Sequence, residues 1–247
     1  GIFIAFEGGE GIGKSTQSQL LKQWLEQEGE TVVLSREPGG SDLGIEIRKI
    51  LLSHSTGEIS PRAEALLYAA DRAHHVFSVI RPALARNEVV ISDRYFDSSI
   101  AYQGAGRVLE PGEVARISRW ATESLFPTLT IIIDLPPSIG LGRLKNKDRL
   151  ESQPLDFHER VRQEFLQLAA LDPERYVIID GNQSIEDTHA AIISRVSEIP
   201  ALKRNAVEDK GNLLLRPIRA VNKTVKKSAT AVKAKAKTTT KKPATKK

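Results

Sequence analysis

Cysteine is absent from all 247 residues of this chain. That excludes disulfides and every form of thiolate chemistry, and it fits a cytoplasmic protein. Methionine is absent too, an initiator included, so the translated start is expected to lie elsewhere than Gly1. No apolar run approaches the roughly 20 residues a membrane helix needs, and no signal-peptide pattern precedes Gly1. No membrane partner is therefore expected. The five histidines, His74 and His75 among them, show no metal-ligand spacing and are expected on a helix flank. No internal repeat period is visible.

Acidic charge is scarce in one part of the chain only. Residues 201–247 hold 15 lysines and arginines against Glu208 and Asp209, a net of +13. The remaining 21 basic and 29 acidic residues give 1–200 a net of −8. The reading is a single acidic α/β domain over 1–200 followed by a basic Lys/Ala/Thr-rich tail. Such a tail cannot bury enough apolar surface to offset its ordering entropy, so it is expected to be disordered. Its charge should attract polyanions, nucleic acid first, with little sequence preference.

Near the start lies "FEGGEGIGKST", residues 6–16. Gly8, Gly9, Glu10, Gly11, Ile12, Gly13, Lys14 and Ser15 satisfy G-x-x-x-x-G-K-[ST] at every fixed position. Ile2 to Phe6 reads as a buried strand, and Thr16 to Gln27 carries helical spacing with Leu20, Leu21, Trp24 and Leu25 on one face. Strand, glycine loop and helix is the context in which this motif binds ATP. Its N–H groups turn toward phosphate where the helix dipole also favours an anion. Lys14 is expected on the β and γ phosphates and the Ser15 hydroxyl on Mg²⁺. Two acids, Glu7 and Glu10, in and beside a phosphate cradle need an explanation.

Further strands are read at Thr31–Ser35, Glu88–Ser92, Leu129–Asp134 and Tyr176–Asp180. Helical patterns occupy about 44–53, 61–86, 111–124, 136–145, 154–171 and 184–197. The alternation implies a P-loop NTPase-type parallel five-stranded sheet flanked by helices. Ligands of such sheets lie beyond the carboxyl ends of the strands. Asp93 and Asp134 each end a strand there, and either can serve as the acidic partner of Mg²⁺.

The segments after the strands carry a resemblance. "REPGG" at 36–40, "LLYAADR" at 66–72, "DRYFDSSIAYQG" at 93–104, "DLPPSIGLGR" at 134–143 and "DRLE" at 148–151 occur in order. Together with the loop they resemble the thymidylate kinases over about residues 2–199, and the tail has no counterpart in that pattern. The resemblance implies transfer of the γ-phosphoryl group of ATP to dTMP, giving dTDP for dTTP synthesis, with Mg²⁺, in a homodimer. It also places Asp93, rather than Asp134, at the metal.

Carried over residue by residue, the resemblance gives Arg36 to the acceptor phosphate and Tyr68 and Arg72 to the thymine. Those two lie four apart and so share a helix face. Tyr68 can stack on the ring while Arg72 donates to a base carbonyl. Ser98, Tyr102 and Gln103 match positions around the nucleoside, with Tyr102 crowding the place of a ribose 2′-hydroxyl. Arg94, beside Asp93, can clamp phosphates with its planar fork. Glu10 matches the acid that accepts a hydrogen bond from the acceptor's 3′-hydroxyl, and Glu7 is expected to brace the loop.

Some thymidylate kinases carry an extra arginine in the phosphate loop, where Ile12 or a neighbour stands here. The missing charge is then expected from a basic lid at about 143–153, as in the bacterial subgroup: Arg143, Lys145, Lys147 and Arg149, with Arg149 foremost on the γ-phosphate. Lys14, Arg94, Arg143 and Arg149 are thus the expected catalytic cations. An acceptor phosphate is ionised at neutral pH, so no general base is named. Two rivals stand beside this reading: a P-loop kinase of another small acceptor, and a kinase body tethered to nucleic acid by its tail.

Overall fold

β1 (Ile2–Glu7), β2 (Val32–Arg36), β3 (Val89–Asp93), β4 (Leu129–Asp134) and β5 (Tyr176–Asp180) form one parallel sheet in the order β2-β3-β1-β4-β5. The structure is a computed structural model and describes residues 1–107 and 109–202. The tail expected to be disordered over 201–247 lies, from residue 203 onward, outside the described residues. Among the described residues no helix is long and apolar enough to cross a membrane.

Period-two alternation sends the two faces of each strand into separate cores. Ile2, Ile4 and Phe6 of β1 join Ile91 of β3 and Ile131 and Ile133 of β4 on one side. There they pack on Leu21 and Leu25 of α1 (Lys14–Gln27) and on Ile192 and Val196 of α9 (Ile185–Val196). Phe3 and Ala5 face the other way, with Val90, Val76, Ile80 and Tyr95. Sheet register then brings strand ends level, since Phe6 and Arg36 both pair with Asp93. The chain turns outward in opposite directions on the two sides of β1, so the loop after β1 opens at the point where strand order reverses.

Between these strands run α2 (Asp42–Leu52), α3 (Pro61–His75), α4 (Arg81–Ala85), α5 (Phe96–Ser99), α6 (Pro111–Ala121), α7 (Pro137–Gly142) and α8 (Leu155–Leu171). The helix expected over 61–86 is interrupted by a π-helical turn at Val76–Ile80. A second helical stretch was not foreseen at all. α5 continues as a π-helix over Ile100–Gly106. Its sequence, "FDSSIAYQGAG", has two glycines and no 3.6-residue apolar stripe, so periodicity is silent there. Wide turns of this kind recur at functional sites, and this one carries Tyr102 and Gln103, with Ser98 on α5 just before it. The helix expected at 136–145 stops at Gly142, leaving 143–153 as an irregular segment.

Candidate active site

Gly11 shows why the loop needs glycine. Its φ is +66°, and a Cβ there would stand 2.1 Å from the Gly140 carbonyl oxygen. Gly140 reciprocates, since its own Cβ would stand 2.1 Å from the Glu10 oxygen. Loop and α7 therefore touch backbone to backbone. Ile12 turns its side chain into the core, so its contribution to the loop is its N–H. Lys14 is buried and folds back over the loop, donating to the Gly9 carbonyl at 2.5 Å. Burial and the neighbouring Arg94 both lower its proton affinity. Ser15 and Thr16 are exposed at the helix start.

The Ser15 hydroxyl donates to Asp93 Oδ2 at 2.6 Å, so the two expected metal-site residues stand together. Asp134, the other candidate, is engaged by a two-pronged bridge from Arg162 at 2.8 and 2.9 Å. Arg94 follows Asp93 in left-handed backbone, φ +74°, held by its N–H to the Phe6 carbonyl at 2.8 Å. A non-glycine residue there is strained by about 1–3 kcal/mol, tolerated where surrounding structure over-determines it. The turn aims the guanidinium back across the loop.

Arg94 is the busiest side chain of the site. It donates to the Gly8 carbonyl at 2.9 Å, to Ser98 Oγ at 3.0 Å and to Tyr102 Oη at 3.2 Å. It also pairs with Glu10 at 2.8 Å. Tyr102 in turn donates to the same Glu10 oxygen at 2.7 Å. Burial acts to raise the Glu10 carboxyl, but Arg94 and Lys14 outweigh it and hold the group at about 2. The acid in the loop is thus a permanent anion facing away from the phosphate cradle. Glu7 is different. Fully buried, it accepts on one oxygen from the N–H groups of Tyr95 at 2.8 Å and Ser98 at 3.2 Å, and its other oxygen shares a hydrogen bond of 2.5 Å with Ser98 Oγ. Burial and then Asp97 push its carboxyl up to about 8. It braces the start of α5 more than the loop.

Glu10, Arg94 and Tyr102 line one polar pocket together with Tyr68, Arg72, Ser98 and Gln103. The structure therefore brings together every residue expected around the acceptor except Arg36. That arginine is exposed at the end of β2 and lines the adjoining groove with Ser15 and Asp93. Arg72 is itself held: Nε on Glu37 at 2.7 Å, one terminal nitrogen on Ser99 Oγ and the other on the Tyr95 carbonyl, both at 3.1 Å. A guanidinium has five N–H donors, so each terminal nitrogen keeps one for a ligand.

Several residues escaped sequence reasoning. His75 does not sit on a helix flank. It is fully buried, bonded to Glu37 at 2.9 Å and Ser35 at 2.6 Å, and together with Arg72 it fixes the carboxylate of the 36–40 turn. Only the position of Glu37, next to Arg36, could have signalled this. Arg48 of α2 reaches the Pro38 carbonyl at 2.9 Å and lines the cavity. Burial, then Arg36 nearby, lower its proton affinity. In the segment expected to be the lid, Arg143 is exposed and meets the loop at the Gly11 carbonyl, 3.4 Å away. Arg149 is placed elsewhere, on Glu64 and the Leu51 carbonyl.

A phosphate loop wired by one arginine to an adjoining polar pocket is a layout suited to transfer to a bound acceptor, where a nucleotide-hydrolysing switch would need only water. Fold and site together are those of a P-loop nucleoside monophosphate kinase. The chain belongs to the thymidylate kinase family, whose family model, described as "Thymidylate kinase", matches residues 6–192. The thymidylate kinase of Clavibacter michiganensis subsp. michiganensis is 56% identical over 210 residues, spanning 83% of this chain and 99% of that protein. That of Cutibacterium acnes is 52% identical over 197 residues, 80% of this chain and 97% of its own length. The crystal structure of thymidylate kinase from Ehrlichia chaffeensis superposes with a TM-score of 0.67 at 30% identity, covering 79% of this chain and 98% of that one.

Proposed function

We propose that this chain is a dTMP kinase, transferring the γ-phosphoryl group of ATP to dTMP to give dTDP and ADP for dTTP synthesis. The observation that carries the reading is Arg94, one guanidinium bonded at once to the loop carbonyl of Gly8 and to Glu10, Ser98 and Tyr102 of the cavity. A cation shared by both sites can neutralise charge on the phosphoryl oxygens throughout their transfer.

Lys14 and the loop N–H groups of residues 8–16 hold the β and γ phosphates of ATP. Arg36 and Arg48 face the acceptor phosphate. Tyr68 stacks on the thymine, Arg72 and Gln103 address its edge, and Tyr102 occupies the space of a 2′-hydroxyl. Glu10, an anion held at about 2, accepts from the 3′-hydroxyl and is too weak a base to abstract a proton. Arg143 supplies the basic-lid charge on the donor side. Ser15 and Asp93 are hard oxygen donors 2.6 Å apart, and no three-residue His/Cys/Asp/Glu cluster exists among the described residues. That donor set fits Mg²⁺ held largely by nucleotide phosphates and water. When bound, the ion offsets phosphate charge.

The test is a coupled ADP-release assay with ATP, Mg²⁺ and each nucleoside monophosphate in turn. Preference for dTMP is expected; preference for UMP or AMP would overturn the reading and restore its first rival. A homodimer is part of the proposal, because α3 and α6 leave Leu66 57% and Trp120 82% exposed, and a monomer in sedimentation would count against it. The cytoplasm, where ATP is made, is the proposed location. The net +13 of residues 201–247 supports binding of nucleic acid through counterion release. Only the full chain, not a 1–202 truncation, should bind random duplex DNA in a salt-sensitive way, with dTMP turnover unchanged.

A further inference from the structure

Burial changes abruptly inside the segment between α7 and α8. Residues 142–147 are mostly exposed, whereas Asp148 and Arg149 are half-buried and Leu150 is buried. The hydrogen bonds change at the same place. Arg143 has a single 3.4 Å contact with the phosphate loop. Arg149 has three anchors: its N–H on the Leu52 carbonyl at 3.3 Å, its Nε on the Leu51 carbonyl at 2.8 Å, and a terminal nitrogen on Glu64. The first two carbonyls end α2, where a cation also meets the negative end of the helix dipole.

Glu64, on α3, has a fully buried side chain. It accepts from Gln103 Nε2 at 3.0 Å and from Arg107 at 3.2 and 3.3 Å as well as from Arg149. Arg107 continues to Gln153 Oε1 at 3.1 Å, and Gln153 returns to the Arg149 carbonyl at 3.1 Å. The circuit is closed. Asp148 caps its own turn, accepting from Leu150 and Glu151 N–H at 2.8 and 2.9 Å. What this scaffold presents to the cavity is a wall made of Leu52, Asp148, Leu150 and Glu151. Because a carboxylate can only accept, Glu64 also dictates which end of the Gln103 amide faces it.

We propose that 148–153 is a fixed strap walling the acceptor pocket, with Arg149 and Glu64 as positioning residues for the nucleoside monophosphate, and that only the preceding 143–147 serves the ATP side. This rests on the reading of the cavity as the acceptor pocket. It divides one basic segment between two substrates. A donor-side arginine acts on the transferring phosphoryl group and so governs kcat. An arginine that holds the acceptor wall governs dTMP affinity.

The discriminating experiment compares Arg149→Ala, Arg149→Lys and Arg143→Ala in steady-state kinetics, with dTMP binding measured by calorimetry without ATP. Losing a charge-assisted anchor should weaken dTMP binding and raise its KM by about tenfold in Arg149→Ala. The ATP KM and kcat should stay near the parent values, and Arg149→Lys should recover part of the affinity. Arg143→Ala should show the opposite split, a lowered kcat with dTMP affinity kept. A fall in kcat or a rise in ATP KM for Arg149→Ala, with dTMP affinity unchanged, would overturn the proposal. If circular dichroism shows Arg149→Ala unfolded, Arg149→Lys decides, and parental dTMP affinity in that variant is equally fatal. A parent enzyme that does not bind dTMP at all would instead refute the acceptor-pocket reading.

Discussion

Arg72→Met keeps an apolar stem in the place of a buried side chain and removes its guanidinium, which makes it a sharp probe of how the acceptor pocket is built. Arg72 is 1% exposed and its main partner Glu37 is 3% exposed, with 2.7 Å between Nε and Oε2. Removing one member of a buried ion pair costs about 3–5 kcal/mol, because the survivor remains out of water without its counter-charge. Glu37 retains the bond to His75 at 2.9 Å, so the lower end, about 3 kcal/mol, is expected. For a domain of this size each kcal/mol lowers Tm by roughly 2–4 °C, giving a loss of about 6–12 °C by calorimetry. Glu37→Gln should be costly for the mirror-image reason, and the double variant should cost at least about 1 kcal/mol less than the two singles together. Arg72→Lys keeps the charge but has no planar fork to span Glu37, Ser99 and Tyr95 at once, so its dTMP KM should still rise. A loss below about 1 kcal/mol for Arg72→Met, or strict additivity in the cycle, would refute the claim that this pair supports the pocket.

Lys14→Ala and Arg94→Ala should each lower turnover by about 10²–10³-fold with unchanged circular dichroism, since each removes a cation from transferring charge; near-parental activity in either would show the site to be misassigned. Tyr102→Phe should keep discrimination against ribosyl-TMP and Tyr102→Ala should lose it, if ring bulk is what excludes the 2′-hydroxyl. Equal discrimination in all three proteins would remove Tyr102 from that role. Glu7, pushed up from the usual 4.5 to about 8 by burial and then by Asp97, is protonated in the fold and ionised in the unfolded chain at neutral pH. Its contribution is therefore complete below 4.5 and lost as pH rises toward 8. Urea midpoints at pH 6 and 8.5 should fall less in Glu7→Gln than in the parent, and equal falls would contradict the assignment.

How much of this was legible beforehand depends on the range over which each feature is encoded. The sheet and the phosphate loop are local statements: a β-branched run, glycines at fixed offsets, a helical stripe over 16–27. Those appear in the structure within a residue or two of their expected limits. The π-helix at Ile100–Gly106 was invisible because its turns are not 3.6 residues wide and its apolar positions follow no stripe. His75 was misplaced for another reason. Its surroundings, Glu37 and Ser35, lie 38 and 40 residues away, and nothing in "AHHV" distinguishes a buried imidazole from an exposed one.

Arg149 is the instructive case. By composition it is one more cation in a hydrophilic stretch, and a stretch of that kind between a strand and a helix reads as a lid over ATP. What separates it from Arg143 is a carboxylate 85 residues earlier in the chain, on a helix whose own sequence gives Glu64 no mark of importance. A basic residue's role is set by whether its charge is already spent. Arg143 meets one carbonyl and stays in solvent, so its charge is available to a phosphate. Arg149 shares a buried carboxylate with Arg107, and freeing it would leave Glu64 less compensated in a medium where that is costly. Sequence spacing can say which cations lie near a site, but only the pairing of each with its acid says which can move to the substrate.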